Sequence, residues 1–331
     1  MSAATVDATI PADPAKAAGS GEDPLRRRPR RTGSGSAQRL FRAIVRDRLT
    51  LAGLAIVAAV VVAGLLAPVF AAWTGHGPTD QYREAGLNAV GVPVGPGSGF
   101  LLGADGSGRD VFIRTLYGTQ VSLLVGVPAT TLALLAGTTL GLIAGFFGGR
   151  TDAVVSQIID ITLSFPFLVT ALCLVALNRG DDGQNIVNPI LVVILVITLF
   201  SWTFFARIVR GQVIALRNRP FVEAAVSIGA SRTRIIVRDI LPNVIPVALV
   251  YWGVQLPLNI VGEATLSFLG VGVVPPTPSW GNMISDAQAS ALYQSQPWML
   301  LGPGIALVLT VLGFNLLSSG LQNILDPNRK R

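Results

Sequence analysis

Apolar residues run through the chain in six long blocks, near 50–72, 121–146, 154–178, 188–208, 244–269 and 297–319. At about 1.5 Å of rise per residue, each block is long enough to cross roughly 30 Å of hydrocarbon as a helix. Lipid offers the backbone no hydrogen bonds, so only helices or closed barrels span it. Barrel strands alternate in short segments, and these blocks do not. The pattern predicts an all-α polytopic membrane protein with six transmembrane helices. The first stands in a unit over 39–105 with the outer loop that follows it. The other five form a core over 106–331. Residues 1–38, rich in Ala, Pro, Gly, Ser and Arg, carry no apolar period and read as a disordered cytoplasmic tail.

One polar interruption stands out between the fourth and fifth blocks: FVEAAVSIGASRTRIIVRDILPN, Phe221–Asn243. Pro220 suits the first position of a helix. Phe221, Ala224, Ala225 and Ile228 then share one apolar face. Glu223 lies in the first turn, where the helix dipole favours a negative charge. Gly229 can take the left-handed conformation that ends a helix, and Ser231 can cap the next. The second helix carries Ile235, Ile236 and Ile240, and Pro242 is expected to stop it. Two short helices at an angle, outside the membrane and ringed by Arg232, Arg234 and Arg238, suit a groove on a partner protein. The alternative is an amphipathic hairpin on lipid headgroups.

Composition fits lipid as the solvent. Of the 331 residues, 51% are hydrophobic and 13% charged, about half the charge of a soluble domain. The net charge of +7 reports topology rather than nucleic acid. Of 25 Lys and Arg, 21 fall on the side of the termini and the 209–243 loop, and four on the other. Positive charge marks the cytoplasmic side, so both termini and that loop are expected in the cytoplasm, with 73–120 and 270–296 outside. The run Arg26 to Arg31 has the double arginine of an export signal, but the first apolar block begins some twenty residues later and is too long for a signal core. One cysteine, Cys173, and one histidine, His76, exclude a disulfide within the chain and a histidine-built metal site.

Several motifs resemble one family. Glu223-Ala224-Ala225, Gly229 and the ending Ile240-Leu241-Pro242 match the EAA loop of ABC-importer permeases. FLLGADGSGRDVFIRTLYGTQVSLLVG (Phe100–Gly126), GLIAGFFGGRTD (Gly141–Asp152), GEATLSFLGVGVVPPTPSWGNMISDA (Gly262–Ala287) and the closing NLLSSGLQNILDPNRKR narrow the likeness to the second permease subunit of dipeptide, oligopeptide and nickel importers. The match covers roughly 40 to 331. Asp239, Gln157, Asn323 and Ala104 depart from the residues usual there. The resemblance implies the ABC importer permease (MetI-like) fold in a bacterial cytoplasmic membrane. It implies a homologous second permease, two cytoplasmic ATPase subunits and an external substrate-binding protein as partners, with lipid around them and a short peptide as cargo. Nickel or another small solute is the alternative within the family. It makes residues 220–242 coupling helices: Phe221, Glu223, Ala224, Ala225, Ile228, Gly229, Ser231, Arg232, Ile240, Leu241 and Pro242 would sit in a cleft of an ATPase. No cofactor is expected in this chain, since ATP and Mg would be held by the partners. The only lysines, Lys16 and Lys330, stand in no phosphate-binding loop. A self-sufficient channel or secondary transporter would call for an inverted repeat and midplane charges, which the chain lacks.

Ionisable residues in spans are candidates for function. Asp160 is expected to pair with a helix end or an arginine of the partner permease, or to line the pathway, with Pro166 kinking the same span. Glu263, near the outer end of the fifth span, is expected either to meet a peptide's ammonium group or to accept backbone N–H groups from the following loop. Asp105, Arg109 and Asp110 either contact the binding protein or cap and pair a helix starting near Gly108. Trp280 is a further candidate contact, although Trp73, Trp280 and Trp298 read first as interface anchors. Gly137, Gly141, Gly145, Gly148 and Gly149 favour close helix packing.

Overall fold

A computed structural model describes residues 47–97, 99–180, 184–289 and 292–325. The expected tail over 1–38, both lysines and the closing Asp326-Pro327 lie outside the described residues. Among those described, the fold is helical, with three isolated β-bridges and no strand. Helix α1 (Arg48–Leu65) is followed by a short α2 (Ala67–Thr74) and a single turn, α3 (Arg83–Gly86). Then come α4 (Val111–Phe147), α5 (Gly149–Ser164), α6 (Phe167–Leu177) and α7 (Pro189–Arg217). Helices α8 (Pro220–Ser227) and α9 (Arg232–Arg234) follow, and a π-helical stretch, Ile235–Ile240, leads into α10 (Leu241–Phe268). Helices α11 (Trp280–Ala289) and α12 (Trp298–Leu325) close the chain.

Five of these helices are long and apolar enough to cross a membrane. The third expected span is instead a bent pair: α5 and α6 meet at 82°. Pro166 therefore breaks that span rather than kinking it. It has no N–H to continue α5 and sits in an extended conformation as the N-cap of α6. The second span is longer than its apolar block. Helix α4 has 37 residues, roughly 55 Å at 1.5 Å per residue, so its first turns project beyond the hydrocarbon.

Helix α4 packs along α7, and α10 lies against both. Gly137, Gly141 and Gly145 form one stripe of α4 set against the α7 backbone. A Cβ at Gly141 would lie 2.7 Å from the Ala206 carbonyl oxygen, and one at Gly145 2.9 Å from that of Arg210. Small residues let the helices approach, and dispersion replaces the hydrophobic drive that lipid removes. Gly148 and Gly149 serve differently. With φ of 64° and 54°, they make the turn from α4 into α5. Helix α1 leans on α12 at another close seam, where a Cβ at Gly53 would come 2.8 Å from the Gly313 carbonyl oxygen.

Candidate functional site: the cytoplasmic hairpin and the polar clusters of the spans

The hairpin between α7 and α10 is built by local chemistry. Pro220 begins α8, and Glu223 lies in its first turn. Gly229 adopts φ +75°. The N–H of Gly229 donates to Val226 O at 2.9 Å and that of Ala230 to Ala225 O at 3.0 Å, which together make a Schellman ending. Ser231 then caps α9 by accepting from the Arg234 N–H at 3.3 Å.

Pro242 does not stop the second helix. The turn from Ile235 to Ile240 opens into π geometry, and the helix runs on from Arg232 to Phe268. A proline ring crowds the carbonyl four residues back, and the wider π turn before it makes room. The second arm of the hairpin is therefore the first part of a helix long and apolar enough to span a membrane.

The two faces of the hairpin differ. Val222, Ile235 and Ile240 are buried against Leu142 of α4, Val209 and Val213 of α7 and Val244 of α10. Ala225 and Leu241 are half-buried beside them. Of the expected stripe of Phe221, Ala224, Ala225 and Ile228, all but Ala225 face away from the bundle, with Ile228 79% and Phe221 44% exposed. Glu223, Gly229, Ser231, Arg232 and Pro242 are exposed as well. The inward anchor Val222 was not expected from the sequence. It stands one residue from Phe221, and nothing in the pattern separates the two faces of so short a helix.

Two ion contacts brace the hairpin's base. Arg210 of α7 holds both carboxylate oxygens of Asp152 of α5, its Nη2 donating at 2.7 Å. Arg217 at the end of α7 donates to the Gly145 carbonyl of α4 at 3.0 Å. These contacts tie the end of α7, where the hairpin begins, to α4 and α5.

Asp160 pairs within its own chain, 2.9 Å from Arg207 of α7. Arg207 of the same chain was not among the partners expected from the sequence. Both side chains remain largely exposed, 67% and 55% respectively. Glu263 is fully buried. Ser122 Oγ donates to one carboxylate oxygen at 2.9 Å and Ser267 Oγ to the other at 2.7 Å. Ser267 Oγ in turn accepts the Val273 N–H at 2.9 Å. The carboxylate thus meets the following loop through Ser267 and through the Ser279 side chain, and it presents no surface to an ammonium group.

The outer cluster is also bound up internally. Asp110 caps α4, accepting from the N–H groups of Phe112 and Ile113 at 2.8 and 3.1 Å. The helix therefore starts at Val111, not near Gly108. His76 Nδ1 lies 2.7 Å from Asp110 Oδ2. Asp105 pairs with Arg109 at 2.7 Å, and Arg109 reaches Asp286 of α11 at 3.1 Å. Asp105, Arg109 and Asp110 are all buried, so their side chains fasten the outer segment to α4 and α11. Trp280 has no exposed surface, and its Nε1 donates to the Thr115 carbonyl at 3.0 Å. Trp298 is half-buried and donates to Ala104 O at 3.2 Å. Neither is an interface anchor. Trp73 is 70% exposed.

A polar cluster in the middle of the bundle was not singled out in the sequence. Asn259 and Gln255 of α10, Ser201 of α7 and Thr130 of α4 are hydrogen-bonded to one another. Amides inside an apolar span were the available signal.

This arrangement is a bundle of helices long and apolar enough to cross a membrane, bound by small-residue seams, with a polar hairpin set between two of them. The chain belongs to the family of binding-protein-dependent transport system inner membrane components, whose model matches residues 137–331. It is 37% identical over 287 residues to the oligopeptide transport system permease protein OppC of Haemophilus influenzae, covering 86% of each chain. It is 37% identical over 290 residues to the dipeptide transport system permease protein DppC of Alkalihalophilus pseudofirmus, covering 88% of this chain and 89% of that one. Among solved structures, it resembles the inward-facing MetNI methionine ABC transporter, with a TM-score of 0.50 at 19% identity over 64% of this chain and 97% of that one. That likeness concerns the fold alone.

Proposed function

We propose that this chain is one permease subunit of an ATP-driven importer that moves short peptides into the cytoplasm. Its bent pair α5–α6 counts as one span, giving six, with both termini on the cytoplasmic side where Lys and Arg gather. The permease itself hydrolyses nothing. Partner ATPases supply the energy, a homologous permease completes the pathway and an external binding protein delivers cargo. The protein sits in the bacterial cytoplasmic membrane.

The observation that carries this reading is the exposed apolar stripe of the hairpin, Phe221, Ala224 and Ile228. It is held on a firmly anchored base yet is left uncovered on the cytoplasmic side, and its pattern suits a groove on an ATPase. Motion of that ATPase reaches the spans through Val222, Ile235 and Ile240 on one side of the base and through Arg210–Asp152 and Arg217–Gly145 on the other. Alternating access then moves the α5–α6 elbow and the ends of α7 and α10 together. The relatives named for oligopeptide and dipeptide transport support a peptide as cargo.

Co-purification tests this. The detergent-solubilised chain should bring down two ATPase subunits and a second permease from its native membrane. Ile228→Glu should keep the second permease and lose the ATPases. Retention of the ATPases by Ile228→Glu, with Phe221→Glu added, would refute docking through this stripe.

A further inference from the structure

Between the α5–α6 elbow, α7 and α10 lies an open cleft of about 310 Å³. Its walls include Phe167, Phe200 and Phe204, and its floor Ser201, Gln255 and Asn259. The floor lies near the middle of α7 and α10. The direction of its hydrogen bonds is settled by one atom. Thr130 Oγ1 donates to the Gly126 carbonyl at 2.7 Å, and a carbonyl can only accept. Thr130 Oγ1 must therefore accept from Asn259, whose Nδ2 stands 2.8 Å away. That turns Asn259 Oδ1 toward Ser201 at 2.8 Å and Gln255 Nε2 at 3.2 Å. The Gln255 NH2 also points to Ser201 Oγ at 3.5 Å. Every donor of the network runs inward, and Gln255 Oε1 is left at its outer end with no donor among the described residues.

A half-exposed amide carbonyl at this depth cannot face lipid, which has no donor to give it. The same face shows what does cover it. Leu163 and Phe204 line the cleft, and Asp160 and Arg207 stand three residues from each, one turn toward the cytoplasm. That pair is more than half exposed on both sides. A permanent protein seam over it would strip both charges of water at high cost. The face is therefore wet at its cytoplasmic end, and the cleft opens onto that route.

We propose that the cleft is a station on the transport route that holds a peptide by its main chain, with Gln255 Oε1 accepting a backbone N–H of the cargo. Asn259, Ser201 and Thr130 are positioning residues that fix the amide the right way round. The ring walls give apolar contact without choosing a side chain, and the nearby ion pair is self-neutralised. Such a station handles peptides of many sequences and reads the one feature they share. The inference rests on the reading of the chain as a peptide permease.

The test uses the complete transporter in vesicles with its loaded binding protein. Uptake of a short peptide is compared with that of its backbone N-methylated analogue, in native and variant complexes with the same binding protein. Loss of one such hydrogen bond is worth about tenfold in rate. The native complex should discriminate between the two cargoes by about that factor more than Gln255→Leu does. Ser201→Ala should reduce the discrimination in the native background and change nothing in the Gln255→Leu background. A Gln255→Cys, Cys173→Ser chain covers the case in which the leucine variant fails to assemble. Its new thiol should react with a water-soluble thiol reagent during turnover, and saturating peptide should protect it. Undiminished discrimination by Gln255→Leu overturns the proposal, as does an unreactive or unprotected thiol. A native complex that takes up neither peptide overturns the broader reading instead.

Discussion

Gly137 and Gly211 allow one substitution to be tried on opposite sides of the same helix pair. Both become alanine. Gly137 faces α7, where a Cβ would lie 2.6 Å from Phe205 Cβ and 2.9 Å from the Ala206 nitrogen, and closer still to the Trp202 carbonyl oxygen. Ordinary carbon contacts run from about 3.5 to 4.0 Å, so the helices must part by about 1 Å. The obstacle is backbone and cannot swing aside. Overpacking of this kind costs about 1–3 kcal/mol, against a gain of about 1 kcal/mol for alanine in a helix. A net loss of up to about 2 kcal/mol is expected at Gly137→Ala. Gly211 of α7 is exposed, and a Cβ there would meet nothing within 4 Å. Gly211→Ala should gain about 0.5–1 kcal/mol. At roughly 2–4 °C per kcal/mol for a chain of this size, the melting temperature should fall by up to roughly 8 °C at Gly137→Ala and rise by roughly 1–4 °C at Gly211→Ala. Thermal unfolding in detergent, followed by tryptophan fluorescence, reads both. Equal shifts of the same sign would refute the seam.

Other consequences follow from single atoms. Ser231→Ala removes the acceptor at the start of α9, costs about 1 kcal/mol, and should raise amide exchange over 231–240 while leaving α4 unchanged. Ser122→Ala takes one hydroxyl donor from the buried Glu263 carboxylate, which Ser267 and Ser279 also meet. A destabilisation of about 1–3 kcal/mol is expected, recovered in Ser122→Thr, and denaturant titration checks it. Trp280→Phe keeps the packed ring but loses the bond to Thr115 O, and should cost about 1 kcal/mol in the same titration.

The apolar blocks located the spans because length against hydrocarbon thickness is a local property of the chain. Schellman and N-cap chemistry at Gly229 and Ser231 was legible for the same reason: each needs only its near neighbours. Pro242 misled, because the π turn that accommodates it depends on Ile235 and Ile240 being held by α4 and α7. The ten residues by which α4 outruns its apolar block belong to an outer layer cemented by Arg109 to Asp286, 177 positions apart. No period in the sequence reports such a pairing. Nor does one report that Trp280 is swallowed against Gly118, where a Cβ would come 2.8 Å from its ring. Asp160 was legible as a charged residue in a span but its partner Arg207, 47 positions on, was not. Within the hairpin, two apolar faces of one short helix look alike until the bundle claims Val222 and leaves Phe221 and Ile228 outside.

As proposed here, the chain moves peptides only when an ATPase drives its hairpin. The direct measurement is uptake of a labelled dipeptide into vesicles holding this permease, its homologous partner and the two ATPases, with the binding protein outside and ATP within. Labelled dipeptide should accumulate, accumulation should stop when ATP or the ATPases are omitted, and it should be lost in Ile228→Glu. Equal dipeptide entry through the permease chain alone, without ATP, would contradict the proposal.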